Sequence, residues 1–224
     1  MNILDQMTPI GLDDMKAVRL MNRMDQKYMA AVTQLDALLE RIAADYYVQH
    51  IEGNPLAPYR TLYFDTEDLA MYTMHHNKKK TRKVRIPIDV AQFYHSLEVP
   101  EVAQFVNEHT PYPVALLHPC LENSFKRITL VDKGMSERIT IDSGITFHNH
   151  ATHTDADISH LLVIEVKHEV GAPQSVIERA LHEMHIQPRR MSKYCIGTAL
   201  TNPNAKKNRF KSKLIYIEKL RTVI

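Results

Sequence analysis

The sequence lacks several features by which common classes of protein are recognised. The two cysteines among its 224 residues, Cys120 and Cys195, form no metal-binding or redox spacing. The first ten residues contain neither the basic region nor the apolar core of a signal peptide. No apolar run approaches the roughly 20 residues that cross a bilayer. We therefore expect free thiols and a cytoplasmic location.

Glycine is also scarce, with six residues in the whole chain. The sequence contains no Gly-rich phosphate loop and no regular alternation of strands and helices, which argues against P-loop and dinucleotide-binding folds. It also has no internal repeat and no low-complexity linker. A single domain over residues 1–224 is the resulting prediction.

A large net charge is absent as well, because 28 basic and 26 acidic residues leave a formal charge of +2. The basic residues are nevertheless concentrated in two segments, residues 78–85 and 206–213. This distribution favours a localised anionic ligand over a nucleic acid spread across the whole surface. The second segment is also compatible with nucleic acid, with an anionic membrane or with simple solvation.

Hydrophobic patterns predict an α+β domain in which antiparallel strands dominate and helices pack outside them. Alternation and turn residues indicate strands over 19–30, 46–51, 59–64, 85–88, 124–132, 136–147 and 161–168. Helical spacing predicts helices over 33–44, with Thr33 as the cap, 173–184 and 192–200. Asp65 is expected to end a strand, and Asp68 to lie in the first turn of a helix.

Several predicted strands carry basic residues at alternate positions together with an acid. The sets are Arg23, Asp25 and Lys27; Lys83 and Arg85; Arg127 and Thr129; Arg138, Thr140 and Asp142; and Glu165 and Lys167. Such alternation is also typical of the solvated face of a half-exposed sheet. If the faces instead turn inward in a closed barrel, the lumen requires a polyanion, because buried like charges repel and lose hydration. A phosphate chain fits the bidentate donors of Arg and the point charge of Lys.

Five short motifs connect these sets to a known family. They are Arg23-Met-Asp25-Gln-Lys27-Tyr28, Tyr63-Phe64-Asp65-Thr66, Phe125-Lys-Arg127 with Glu137-Arg138-Ile-Thr-Ile-Asp142, Ile164-Glu165-Val166-Lys167, and Arg190-Met-Ser192-Lys193-Tyr194. In this order they resemble the motifs of VTC-type polyphosphate polymerase domains, which belong to the triphosphate tunnel metalloenzymes. The resemblance extends from Arg23 to Tyr194.

The resemblance implies an antiparallel β-barrel that forms a triphosphate tunnel. It implies a polymerase that transfers the γ-phosphate of ATP to a growing polyphosphate chain, with Mn²⁺ or Mg²⁺ as cofactor and no specific nucleic-acid partner. The implied catalytic residues are Lys27, Arg127, Arg138, Glu165 and Lys193, of which Glu165 binds the metal. The implied phosphate-binding residues are Lys27, Lys83, Arg85, Arg127, Arg138, Arg190 and Lys193.

The sequence departs from this family between Asn77 and Lys78. Two strands with an R-x-R and an E-x-K motif are expected there, and we interpret their absence as a missing strand pair. Two other functions share the same tunnel chemistry, namely hydrolysis of inorganic triphosphate and non-catalytic binding of polyphosphate or nucleotide. The sequence leaves both open beside polymerisation.

Overall fold

A computed structural model describes residues 3–18, 23–77 and 92–223. Within these ranges the chain forms eight strands, seven α-helices and several short 3₁₀ turns. The strands are β1 Pro9–Ile10, β2 Arg23–Ala31, β3 Tyr46–Gln49, β4 Ala57–Asp65, β5 His118–Asp132, β6 Glu137–Asn149, β7 Thr154–Asp157 and β8 Leu161–Glu169. The helices are α1 Ile3–Gln6, α2 Leu35–Ile42, α3 Ala70–His76, α4 Pro100–His109, α5 Val176–Glu183, α6 Lys193–Thr201 and α7 Lys211–Leu220.

All eight strands belong to one sheet, which has the order β1-β3-β5-β6-β8-β2. β4 pairs with β5 beyond the end of β3, and β7 pairs with β6 beyond the end of β8. Every ladder is antiparallel except the short parallel pair of β1 and β3. The α+β class is confirmed. Among the described residues no ladder joins β1 to β2, so the strands form an open sheet and not a complete barrel.

The long hairpin of β5 and β6 is the centre of the sheet. Its tight turn at Lys133 and Gly134 follows the sequence-based prediction. Near Gly144 the register of β6 shifts by one residue relative to β5, and Gly144 has a φ of 61°. This left-handed conformation is available to glycine at little cost, and the extra residue is a β-bulge that reverses which side chains of β6 face each side.

One face of the sheet packs against α1, α2 and α5. The even-numbered residues of β8 and the odd-numbered residues of the first part of β6, such as Ile164 and Ile141, meet Leu38 and Leu39 of α2 and Leu181 of α5. These side chains are almost completely buried. Their removal from water is the main force that places the helices outside the sheet.

The opposite face is covered over part of its area by α3, α6 and α7. Cys195 and Ile196 of α6 pack against Leu121 and Phe147 of the hairpin. A Cβ atom at Gly197 would lie 2.5 Å from a ring carbon of Phe147 and 2.6 Å from a methyl carbon of Leu121. Glycine at this position therefore allows α6 to lie directly on the sheet.

Several details differ from the sequence-based predictions. Thr33 does not cap α2; its hydroxyl donates to the carbonyl of Val223, while the side chain of Gln34 accepts the N–H of Ala31. The sequence reading also missed α1, β1, β7, α4 and α7, and it expected Asp68 in the first turn of a helix, whereas α3 begins at Ala70. The predicted strand over 85–88 and the break after Asn77 lie outside the described residues. No helix in the described part of the chain is long and apolar enough to cross a membrane.

Candidate functional site

The alternating charged residues of four strands lie on one face of the sheet. Strand register pairs Arg127 with Asp142, and it aligns the two rows Thr140–Glu165–Lys27 and Arg138–Lys167–Asp25 across β6, β8 and β2. The residues between them in sequence are the apolar ones that pack under α2 and α5. Because strand side chains alternate between faces, all these charges project to the side of the sheet that α6 covers in part.

We refer to this group of side chains as the charged cluster. It contains five basic and three acidic residues: Lys27, Arg127, Arg138, Lys167, Lys193, Asp25, Asp142 and Glu165. The cluster adjoins the apolar contact between α6 and the sheet, where Met29 and Val163 continue two of the strands. Except for Asp25, its members are partly shielded from solvent, so their interactions are stronger than those of an exposed surface.

Glu165 lies between two lysines. Its Oε1 is 2.7 Å from Nζ of Lys27, and its Oε2 is 3.2 Å from Nζ of Lys167. Burial by itself would raise the pKa of Glu165, but the hydrogen bond from Lys27 and the charges of both lysines outweigh burial and hold the pKa at about 2. The carboxylate is therefore ionised at any physiological pH. Lys167 also reaches Asp25, at 3.0 Å.

Asp142 holds the other half of the cluster. It accepts two hydrogen bonds from the guanidinium of Arg127, at 2.6 and 2.8 Å, and a third from the ammonium of Lys193. Arg127 lies 4.8 Å from the centre of the Tyr59 ring, and Lys193 lies 3.7 Å from that of Phe125. Both cations thus have fixed positions, which reduces the entropy that an anionic ligand would have to overcome.

The first turn of α6 positions Lys193. The hydroxyl of Ser192 accepts the N–H of Cys195 and caps the helix, and the hydroxyl of Tyr194 donates to the buried carboxylate of Asp65. Burial lowers the pKa of the Lys193 ammonium to about 8; Asp142 opposes this effect, and the charges of Arg127 and Lys27 add to it. Lys193 is therefore a cation close to the point at which it loses its proton.

Arg138 and Lys167 are directly opposite each other on β6 and β8. Like charges in this relation repel across the ladder. Arg138 forms no ion pair within the described ranges, whereas Lys167 is paired with two acids. An anion above this pair would remove the repulsion.

Of the site residues that the resemblance implied, the structure brings Lys27, Arg127, Glu165 and Lys193 together, with Arg138 in the neighbouring row. Arg190 has a different position: its side chain is exposed, and its charge acts on Lys213 of α7. Lys83 and Arg85 lie outside the described residues. Sequence reasoning did not assign roles to Lys167, Asp142 or the aromatic residues Tyr59 and Phe125. Lys167 and Asp142 were already members of the charged sets in the sequence, and Phe125 could have been found because it shares the strand parity of Arg127.

A divalent cation such as Mg²⁺ or Mn²⁺ needs oxygen ligands, and the charged cluster contains three carboxylates. Among the described side chains, no three His, Cys, Asp or Glu residues are grouped so that they could hold a metal ion. Glu165 has the hard oxygen donors that Mg²⁺ and Mn²⁺ prefer, but both of its oxygens contact lysines. The residues therefore fit a cation that is shared between one carboxylate, phosphate oxygens and water, and not a protein-only cage.

A second concave region lies on the other face of the same strands. This cavity, of about 470 Å³, is lined by Glu122, His148, Asp155 and Asp157 among others. Glu122 there accepts a hydrogen bond from the hydroxyl of Tyr94 and pairs with Arg60. The described lining of this cavity contains three carboxylates and no Lys or Arg, so the charged cluster with its five basic residues is the candidate anion site.

Comparison with known proteins gives one result that bears on this site. No curated protein matches the chain. A scan against protein-family models matches the VTC domain over residues 22–88 and 97–202, which include every residue of the charged cluster. That family is associated with phosphotransferase activity and points to a polyphosphate-related function. The match spans more than half of the sequence and confirms the resemblance found in the motifs: the chain belongs to the VTC domain family.

Proposed function

We propose that the charged cluster binds a linear phosphate chain and that the protein is a phosphotransferase that extends polyphosphate with the γ-phosphate of ATP. The observation that carries this proposal is the concentration of five basic side chains on one shielded face of the sheet, with Arg138 and Lys167 side by side. Membership of the VTC domain family supports polyphosphate or a nucleoside triphosphate as the ligand.

The geometry favours phosphate over an isolated carboxylate. Lys27, Arg127 and Lys193 come from three different elements and converge around Asp142 and Glu165, so that several anionic groups in a row can be contacted at once. A polyphosphate carries one or more negative charges on each unit, and Arg and Lys donors suit its oxygens. Binding would exchange part of the internal ion pairing for contacts with the ligand.

The closed tunnel implied by the resemblance is part of the proposal. The described strands form one open sheet, and a closed tunnel would need further strands to join its two edges. Enclosure would exclude water and strengthen each contact between cation and phosphate.

Catalysis would rest on alignment of the phosphates and on neutralisation of the charge that develops during transfer. Lys27, Arg127 and Arg138 would hold the nucleotide and the acceptor chain in line, and Lys193 would stabilise the departing or attacking oxygens. Glu165 would hold Mn²⁺ or Mg²⁺, and the bound metal would polarise the transferred phosphoryl group. No covalent protein nucleophile is needed.

The test is a polymerase assay with the full-length chain, ATP and Mn²⁺, in which long polyphosphate is separated on gels. We expect Glu165→Gln to reduce synthesis by about a hundredfold or more. Binding of tripolyphosphate without metal should persist or tighten, because Gln removes a negative charge beside Lys27 and Lys167. Glu40→Gln, on the exposed side of α2, is the matched control. Folded protein that binds tripolyphosphate but forms no polymer contradicts the polymerase proposal.

Non-catalytic binding is the second candidate, and one feature favours it. All three carboxylates of the cluster are engaged by lysine or arginine, and no three-ligand metal group exists among the described residues. A binder predicts equal tripolyphosphate affinity with and without Mn²⁺ and no turnover. Release of orthophosphate from tripolyphosphate would instead indicate the related hydrolase.

A further inference from the structure

A second group of cations lies outside the charged cluster, on the surface formed by the segment before α6 and the start of α7. We call it the outer patch, and it consists of Arg189, Arg190, Arg209 and Lys213. Arg189 stacks on the ring of Tyr216 with its guanidinium carbon 4.1 Å from the ring centre. Tyr216 is three residues after Lys213 on α7, so the two positions share one side of that helix.

The other members are held nearby. The guanidinium of Arg209 donates to the carbonyls of His75 and His76, at 2.6 and 2.8 Å, at the end of α3. Lys213 lies 5.9 Å from the centre of the Phe210 ring. Burial lowers the pKa of the Lys213 ammonium, and the charges of Arg209, Arg189 and Arg190 lower it further.

The outer patch has an excess of positive charge. In the part of the chain that the structure describes, none of its four residues forms an ion pair, whereas each basic residue of the charged cluster except Arg138 does. Anchoring by a ring and by two carbonyls keeps two of the arginines in place without neutralising them. Repulsion among the four charges is relieved when an anion binds.

The outer patch is connected directly to the charged cluster. The backbone N–H of Arg189 donates to the carbonyl of Lys27, at 2.6 Å, and Pro188 bridges to Tyr28. Lys193 is three positions after Arg190, a span of at most about 11 Å along the chain. A linear anion bound at the cluster can therefore continue past the edge strand β2 to the outer patch.

We propose that the outer patch binds the continuing part of a long polyphosphate, so that the protein prefers long chains to triphosphate. This inference rests on the proposed function, because it takes the charged cluster as the site of the first phosphates. In this proposal the exposed side chain of Arg190 lies on the path of the polymer. The proposal also assigns a ligand to Arg189, Arg209 and Lys213.

The experiment compares the affinities of the full chain for tripolyphosphate and for size-fractionated long polyphosphate at one salt concentration. The variant is Arg189→Gln with Lys213→Gln. The control is Arg179→Gln with Lys133→Gln, which removes the same two charge types from exposed positions on α5 and in the β5–β6 turn. We expect the variant to lose about tenfold in affinity for long polyphosphate, a size set by two partly exposed charge contacts. Tripolyphosphate affinity should change by less than about twofold.

The outcomes separate this inference from the function on which it rests. Equal losses for both ligands, or no loss for either, overturn the role of the outer patch. A Lys27→Met chain that still binds tripolyphosphate with full affinity instead overturns the charged cluster as the phosphate site. Single-stranded RNA and vesicles with anionic lipid are further probes. If either binds as tightly as long polyphosphate and loses as much in the variant, the surface is a general anion site and the proposal fails.

Discussion

Lys27 and Glu165 face each other across the β2–β8 ladder, and their charged atoms are 2.7 Å apart. The pair is the point at which the edge strand of the sheet joins the charged cluster. Burial raises the pKa of Glu165, but the hydrogen bond and charge of Lys27, together with Lys167, outweigh burial and keep the carboxylate ionised in acid.

The first prediction concerns stability in acid. The folded-state pKa of Glu165, about 2, lies below its usual value of 4.5, so its contribution to stability is complete above about pH 4.5 and is lost as the pH falls toward 2. Lys27→Met should raise that pKa and remove about 1–2 kcal/mol of this pH-dependent stability. Urea unfolding at pH 7 and pH 3 measures the difference. Glu165→Gln should lack the same acid-dependent loss; equal pH dependence in all three chains would contradict the pairing.

The second concerns the proton of Lys193. Its pKa of about 8 in the free protein should rise when a phosphate chain binds, because the ligand stabilises the ammonium form. Binding should therefore take up a proton above about pH 8 and take up almost none from this group at pH 6. Calorimetry in buffers of different ionisation enthalpy measures the uptake. Lys193→Met should reduce this proton uptake. The difference in uptake between the two chains excludes the protons that the ligand itself gains or loses.

The third concerns the contact between α6 and the sheet. Gly197→Ala would place a methyl group against Phe147 and Leu121, at distances that force these side chains to move. We expect a net loss of about 1–3 kcal/mol in unfolding free energy, although alanine favours the helix. Ser212→Ala, at an exposed position of α7, is the control and should be neutral or slightly stabilising. A Gly197→Ala protein with unchanged stability would show that the helix does not lie so close.

The fourth concerns Asp65, which is almost fully buried. It accepts the backbone N–H groups of Met71 and Tyr72, at 2.9 and 3.0 Å, and the hydroxyl of Tyr194. Asp65→Asn replaces one acceptor with a donor and should cost about 2–3 kcal/mol of stability. Hydrogen exchange should increase in α3 and in the first turn of α6 together. Asp68→Asn, an exposed neighbour, should leave α6 unaffected; separate responses of the two helices would contradict their coupling through Asp65.

The case of Asp65 also shows where sequence reasoning reached its limit. It correctly placed the residue at the end of a strand, because the Tyr-Phe-Asp run ends a pattern of β-forming residues. It assigned the start of a helix to Asp68, whose side chain instead accepts the hydroxyl of Thr66. The contact of Asp65 with Tyr194 joins residues 129 positions apart, and no local pattern reports such a distance.

Alternation along each strand was sufficient to predict that its charged side chains share one face and its apolar side chains the other, because a side chain's face follows from its parity. Strand order was not predictable in this way, since parity does not say which strands are neighbours or how they are aligned. The tertiary structure decided that Glu165 lies between Lys27 and Lys167, that Asp142 joins Arg127 to Lys193, and that Arg190 belongs to a separate outer patch. These are contacts between distant segments, and they depend on ladder register, on the bulge at Gly144 and on the close packing of α6 at Gly197.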